Sequence, residues 1–115
     1  MASNAQSIPP AQALSLATLI SPTERGIASR VLARSSGGNV TLFAFDAGQG
    51  LEEHTSPFDA LVMVLEGALV LTIGGATVRA TPGSIVRMPG GVTHALDAPG
   101  ATRMLLIMLR EVKDA

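Results

Sequence analysis

The stretch GSIVRMPGGVTHALDA, residues 83–98, decides the fold. A short β-rich run, Ser84–Met88, meets a Pro89-Gly90-Gly91 break. A second run, Thr93–Asp97, follows and carries His94 near its start. Two apolar runs separated by proline and glycine read as strands joined through a tight turn. The same texture recurs upstream in GLEEHTSPFDALVMVLEG, residues 50–67. There Leu51–Thr55 is a run, Ser56-Pro57 a break, Ala60–Leu65 a second run and Glu66-Gly67 a turn. Each stretch carries one histidine, His54 or His94, and the chain has only these two. If they meet, they mark the chemical centre of the fold.

Outward from these stretches the pattern continues. Further runs are Ile27–Arg34, Val40–Asp46, Ala68–Ile73, Thr77–Thr81 and Ala101–Arg110. Gly, Pro and Asp punctuate them every eight to twelve residues, and no helical periodicity survives beyond residue 26. Many short, evenly spaced strands predict an all-β, antiparallel sandwich or barrel. Gly74-Gly75 predicts a two-residue hairpin. Leu61–Leu65 and Met104–Leu109 are apolar on both faces, so a second covering surface is expected, most simply another copy of the chain: a homodimer.

The N-terminal quarter differs. Residues 1–25 read as a partly flexible arm. A Pro9-Pro10 pair precedes a weakly apolar segment, Ala11–Ile20, expected as a short helix or as an arm packed on the strands. Residues 26–112 form the predicted domain. A length of 115 residues allows a single core. An apolar fraction of 47% against 15% charged residues excludes disorder. A net charge of −1 without a basic block leaves no footprint for nucleic acid. The absence of cysteine removes disulfides and thiolate chemistry and fits a reducing compartment. No apolar run is long enough to span a membrane, and the N-terminus lacks a basic leader region, so a cytoplasmic protein is expected.

The two histidine stretches resemble the paired motifs of the cupin superfamily. That resemblance implies a single antiparallel β-barrel of jelly-roll type. In the second motif Gly83, Pro89, Gly91 and His94 fall at the family spacings, and only the terminal Asn departs, being Ala98. The first motif keeps Gly50, His54 and Gly67, with the glycine nearer the histidine than the pattern asks. Ser56 stands where the family has a second histidine, and Ala60 where it has a glutamate. Three histidines and a glutamate hold a divalent metal in the family. Here only His54 and His94 remain.

Strand alternation puts Glu52, His54 and Ser56 on one face if no bulge intervenes. Glu52, His54 and His94 then make a two-histidine, one-carboxylate set suited to one divalent ion, Fe, Mn, Ni or Zn. Water can complete the shell in place of Glu52; if no metal is held, no cofactor is expected. Ser56 and Ala60 are small and open room in the pocket. Phe43 with Phe45, and Met104 with Met108, share strand parity; core packing is the first reading for them, and an apolar pocket wall the alternative. Asp59 reads as a turn-capping side chain beside Pro57. Arg87 and Arg103 read as solvated or dimer-rim cations.

Three functions follow. The first is a metal site acting on a small organic substrate. The second is a metal-free module that binds a small molecule through the histidines. The third is a structural or regulatory dimer. The resemblance selects no reaction, because the same fold hosts many.

Overall fold

The computed structural model describes residues 7–110. Residues 1–6 of the expected arm and 111–112 of the expected domain lie outside them. Nine strands follow in order: β1 (Ile27–Ser35), β2 (Gly38–Phe45), β3 (Gly50–His54), β4 (Asp59–Glu66), β5 (Leu69–Ile73), β6 (Ala76–Ala80), β7 (Ile85–Met88), β8 (His94–Asp97) and β9 (Thr102–Leu109). Each expected run is a strand, with ends shifted by at most two residues. Alternation of small or β-branched residues with polar ones suits a pleated, half-buried surface, and the glycines and prolines end each strand.

The strands form two antiparallel sheets, β1-β2-β9-β4-β7 and β3-β8-β5-β6. With β1 set aside, this is the strand order of a double-sheet jelly roll. Only β1–β2 and β5–β6 are local hairpins, the latter turning at Gly74-Gly75 as expected. Every other connection crosses between sheets. The single closed barrel expected from the sequence is corrected here: the described strands do not join into one ring. The edges explain this. β7 is four residues long and β3 carries a bulge, so neither offers a long regular ladder for closure.

The core lies between the sheets. Phe45, Val62, Val64, Met88 and Met104 come from one sheet and Leu69, Leu71 and Leu96 from the other, all at most 2% exposed. Leu42 and Ala44 are also fully buried, yet they alternate with Phe43 and Phe45 and so face away from that core. The N-terminal arm packs against this sheet. Arg103 donates through Nε and Nη2 to the Ile20 carbonyl at 3.3 and 3.1 Å, and Arg30 donates to the Leu19 carbonyl at 3.2 Å. The Arg103 guanidinium also meets Glu66 at 2.8 Å, so this cation is a strap rather than a solvated charge. Of the two expectations for Ala11–Ile20, the packed arm is observed. Pro9-Pro10 and a left-handed Ala11 (φ 60°) deny the segment a helical start. Among the described residues no helix is long and apolar enough to cross a membrane.

Candidate functional site

His54 ends β3 and His94 begins β8, and the two are register partners across neighbouring strands. Directly opposed side chains share one face of a sheet. Their ring centroids lie 4.3 Å apart with the planes at 68°. His94 is deep, at 5% exposure, whereas His54 is exposed at the mouth. His54 Nδ1 lies 2.7 Å from the Glu52 carbonyl, and His94 Nδ1 lies 3.2 Å from the Val92 carbonyl. A carbonyl only accepts, so each contact is a hydrogen bond with the hydrogen on Nδ1, and in that neutral tautomer Nε2 keeps the lone pair.

A cavity of about 120 Å³ opens beneath the rings, between the two sheets. His54, His94 and Ser56 are its polar groups. Ala60, Met104 and Met108 line it, joined by Leu51, Met88, Leu96 and Leu106. The Ser56 hydroxyl accepts the Phe58 amide at 3.2 Å, which leaves its own hydrogen to donate. A larger open groove of about 320 Å³ lies by the β1–β2 turn, but its only titratable lining group is Arg34. The chemistry favours the smaller cavity.

Phe43 and Phe45 do not line it. They stack on each other at 6.0 Å and belong to the core, and Phe43 sits beside Met104 in register. The shared parity was legible, but the cavity wall stops at Met104, the neighbour of Phe43 across β2 and β9.

Glu52 also lies elsewhere. Leu51 pairs with Leu96, and His54 with His94, so β3 takes three steps where β8 takes two. The extra residue is a β-bulge, which turns both Glu52 and Glu53 to solvent and puts Leu51 and His54 on one face. The alternation that would carry Glu52 inward is broken at that point. Gly48, with five residues between it and His54, has φ +83° and meets the family spacing that Gly50 misses.

The two histidine stretches are stitched together below the site. Asp59 accepts the Gly90 amide at 2.8 Å and receives Arg87 through Nε at 3.1 Å and Nη2 at 2.8 Å. The Gly90 amide first, and the Arg87 guanidinium second, hold the Asp59 pKa below its ordinary value. The Ser56 carbonyl accepts the Gly91 amide at 2.8 Å. A Cβ on Gly90 would lie 2.6 Å from the Pro57 carbonyl oxygen, so only glycine permits this approach. Asp59 therefore caps a turn, as expected, but the turn it caps belongs to the other stretch.

Paired histidines on the inner face of a jelly roll, at these motif positions, decide the family. The chain belongs to the cupin family. The family model for the cupin domain matches residues 41–109. A conserved protein of unknown function, SPY1581 from Streptococcus pyogenes, is 34% identical, with a TM-score of 0.86 over 93% of this chain and 94% of that one. A cupin superfamily protein from Desulfitobacterium hafniense is 30% identical, with a TM-score of 0.84 over 91% of this chain and 96% of its own. A cupin 2 conserved barrel domain protein from Leptotrichia buccalis is 28% identical, with a TM-score of 0.80 over 84% of this chain and 47% of that one. No curated protein matches the chain significantly.

The cupin resemblance implies a divalent metal, and this donor set does not fit one firmly. Among the described residues no three His, Cys, Asp or Glu side chains gather. Ser56 and Ala60 hold the positions of the missing ligands, and Glu52 points away. Two neutral imidazoles leave a divalent charge largely uncompensated in an apolar cavity.

Proposed function

We propose that this cupin is a small-molecule-binding module. Its ligand is mostly apolar, carries one hydrogen-bond donor such as a hydroxyl, and has about the bulk of a six-membered ring. The observation behind this reading is the pair of Nδ1–carbonyl contacts, which turns both imidazoles into acceptors above an apolar cavity. A cavity of 120 Å³ is slightly smaller than the ~150 Å³ engineered cavity that holds benzene. The Ser56 hydroxyl supplies one donor for an acceptor on the same ligand. Screening a library of small phenols, alcohols and hydroxy acids by ligand-observed NMR tests this. Hits displaced by His54→Ala and His94→Ala support it. Ligands that bind equally well to both variants, or only bare carbonyl compounds, reject it.

We also propose that a second copy of the chain covers the outer face of the five-stranded sheet. Leu61 and Met63 of β4 pair there with Ile107 and Leu105 of β9, and Ile85 beside them is 54% exposed. The arm's hydrogen bonds reach Arg30 and Leu32 of β1 and Arg103 at the start of β9, not Leu61, Met63 or Ile85. A weakly charged chain with an apolar sheet face matches another copy of itself. Light scattering should give a dimer that Ile85→Glu dissociates. A monomeric wild type at tens of micromolar rejects it.

A further inference from the structure

We infer that the same cavity is a site for a soft monovalent cation, Cu(I), held by Nε2 of His54 and His94 together with methionine thioethers. Three of the chain's five methionines, Met88, Met104 and Met108, line this one cavity. Met63, by contrast, sits on the opposite face of β4, between the buried Val62 and Val64. The lining thus offers two imidazole nitrogens and up to three thioether sulfurs, with no carboxylate.

Ligand softness sorts ions. Thioethers favour Cu(I), imidazole suits copper and zinc, and carboxylates suit the harder divalent ions. Charge points the same way. Desolvation cost rises with the square of the charge, so a monovalent ion enters an apolar cavity far more cheaply than a divalent one. Met88 and Met104 are 2% and 0% exposed, so both side chains are shut off from bulk water. The features that unfit the site for the family's divalent ion are those that suit Cu(I). The inference rests on the same imidazole tautomers as the proposed function. It adds the thioethers, which an organic ligand does not require.

The test uses the full chain, stripped of metal and titrated without oxygen. Cu(I) is supplied as its acetonitrile complex against bicinchoninate as the competing chelator. Stoichiometric binding is expected, with sulfur as well as nitrogen around copper in X-ray absorption. Replacing the three lining methionines together (Met88→Leu, Met104→Leu and Met108→Leu) should weaken binding by about tenfold or more, while Met63→Leu leaves it unchanged. A copper shell of nitrogen and oxygen alone overturns the inference, whatever the stability of the variants. Unchanged affinity in the triple variant also overturns it. If Cu(I) fails while the NMR ligands still bind through His54 and His94, only the copper inference falls. If those ligands fail while a sulfur-containing copper shell is found, only the organic-ligand reading falls.

Discussion

His54 and His94 face each other at 4.3 Å as direct register partners, yet one is exposed and the other 5% exposed. Shared function and unequal burial make their roles separable. Both offer Nε2 to the cavity, but only His94 is part of the packed interior.

Alanine at either position should therefore abolish ligand binding, with different effects on folding. His94→Ala should cost about 1–2 kcal/mol, from lost packing and a lost bond to the Val92 carbonyl. His54→Ala should stay within about 0.5 kcal/mol. Urea denaturation beside NMR titration reads both. Equal destabilisation would contradict the burial difference.

Asp59 should make the fold sensitive to acid. Its folded pKa lies below the ordinary value of 3.8. Its contribution is therefore complete above that value and fades as pH falls through the lower, folded pKa. Asp59→Asn should flatten the acid limb of a stability-against-pH curve and lower the plateau above it. Because Asp59 also holds the Gly90 turn, the variant should weaken ligand binding at neutral pH. An unchanged acid limb would remove Asp59 from that role.

Met104 is fully buried and also walls the cavity. Met104→Ala should cost about 2–5 kcal/mol and leave a larger hole. Ligands one or two carbons bulkier than the wild type accepts should then bind. Calorimetric titration with a homologous ligand series checks the shift. A size preference that stays fixed would put the ligand elsewhere.

The Arg103 strap predicts a local effect. Arg103→Ala removes the donors to the Ile20 carbonyl and the partner of Glu66. Amide exchange across residues 8–20 should speed up by tenfold or so, while β4 and β8 stay protected. Arg103→Lys should rescue poorly, since a single ammonium cannot reproduce the fork. Uniform acceleration across the chain would mean that the arm belongs to the global unfolding unit.

Strand positions were almost wholly legible because period-two alternation and Gly or Pro punctuation are local signals. Sheet closure is not local, and nothing in the runs themselves distinguishes two facing sheets from one closed ring. Glu52 illustrates the limit at the site. Two consecutive glutamates read equally well as one inward and one outward, or as a bulge with both outward, and only the ladder with β8 decides. Leu96 was reachable by stepping two residues from His94 along β8, whereas Met88 enters as the register partner of Ala60, which only the β4–β7 ladder fixes. Phe43 and Phe45 were read correctly as sharing a face. Their place beside Met104 rather than in the cavity wall depends on the β2–β9 register, which no single run carries.

The bulge has a kinetic consequence. A regular strand would send one of Glu52 and Glu53 inward; this one leaves both carboxylates in water immediately before His54. A molecule approaching the mouth meets these carboxylates beside His54. Anions are slowed at the entrance and cations drawn to it, in proportion to how little salt is present. Selection by charge thus precedes selection by shape, and the rate of entry carries information that the equilibrium affinity does not.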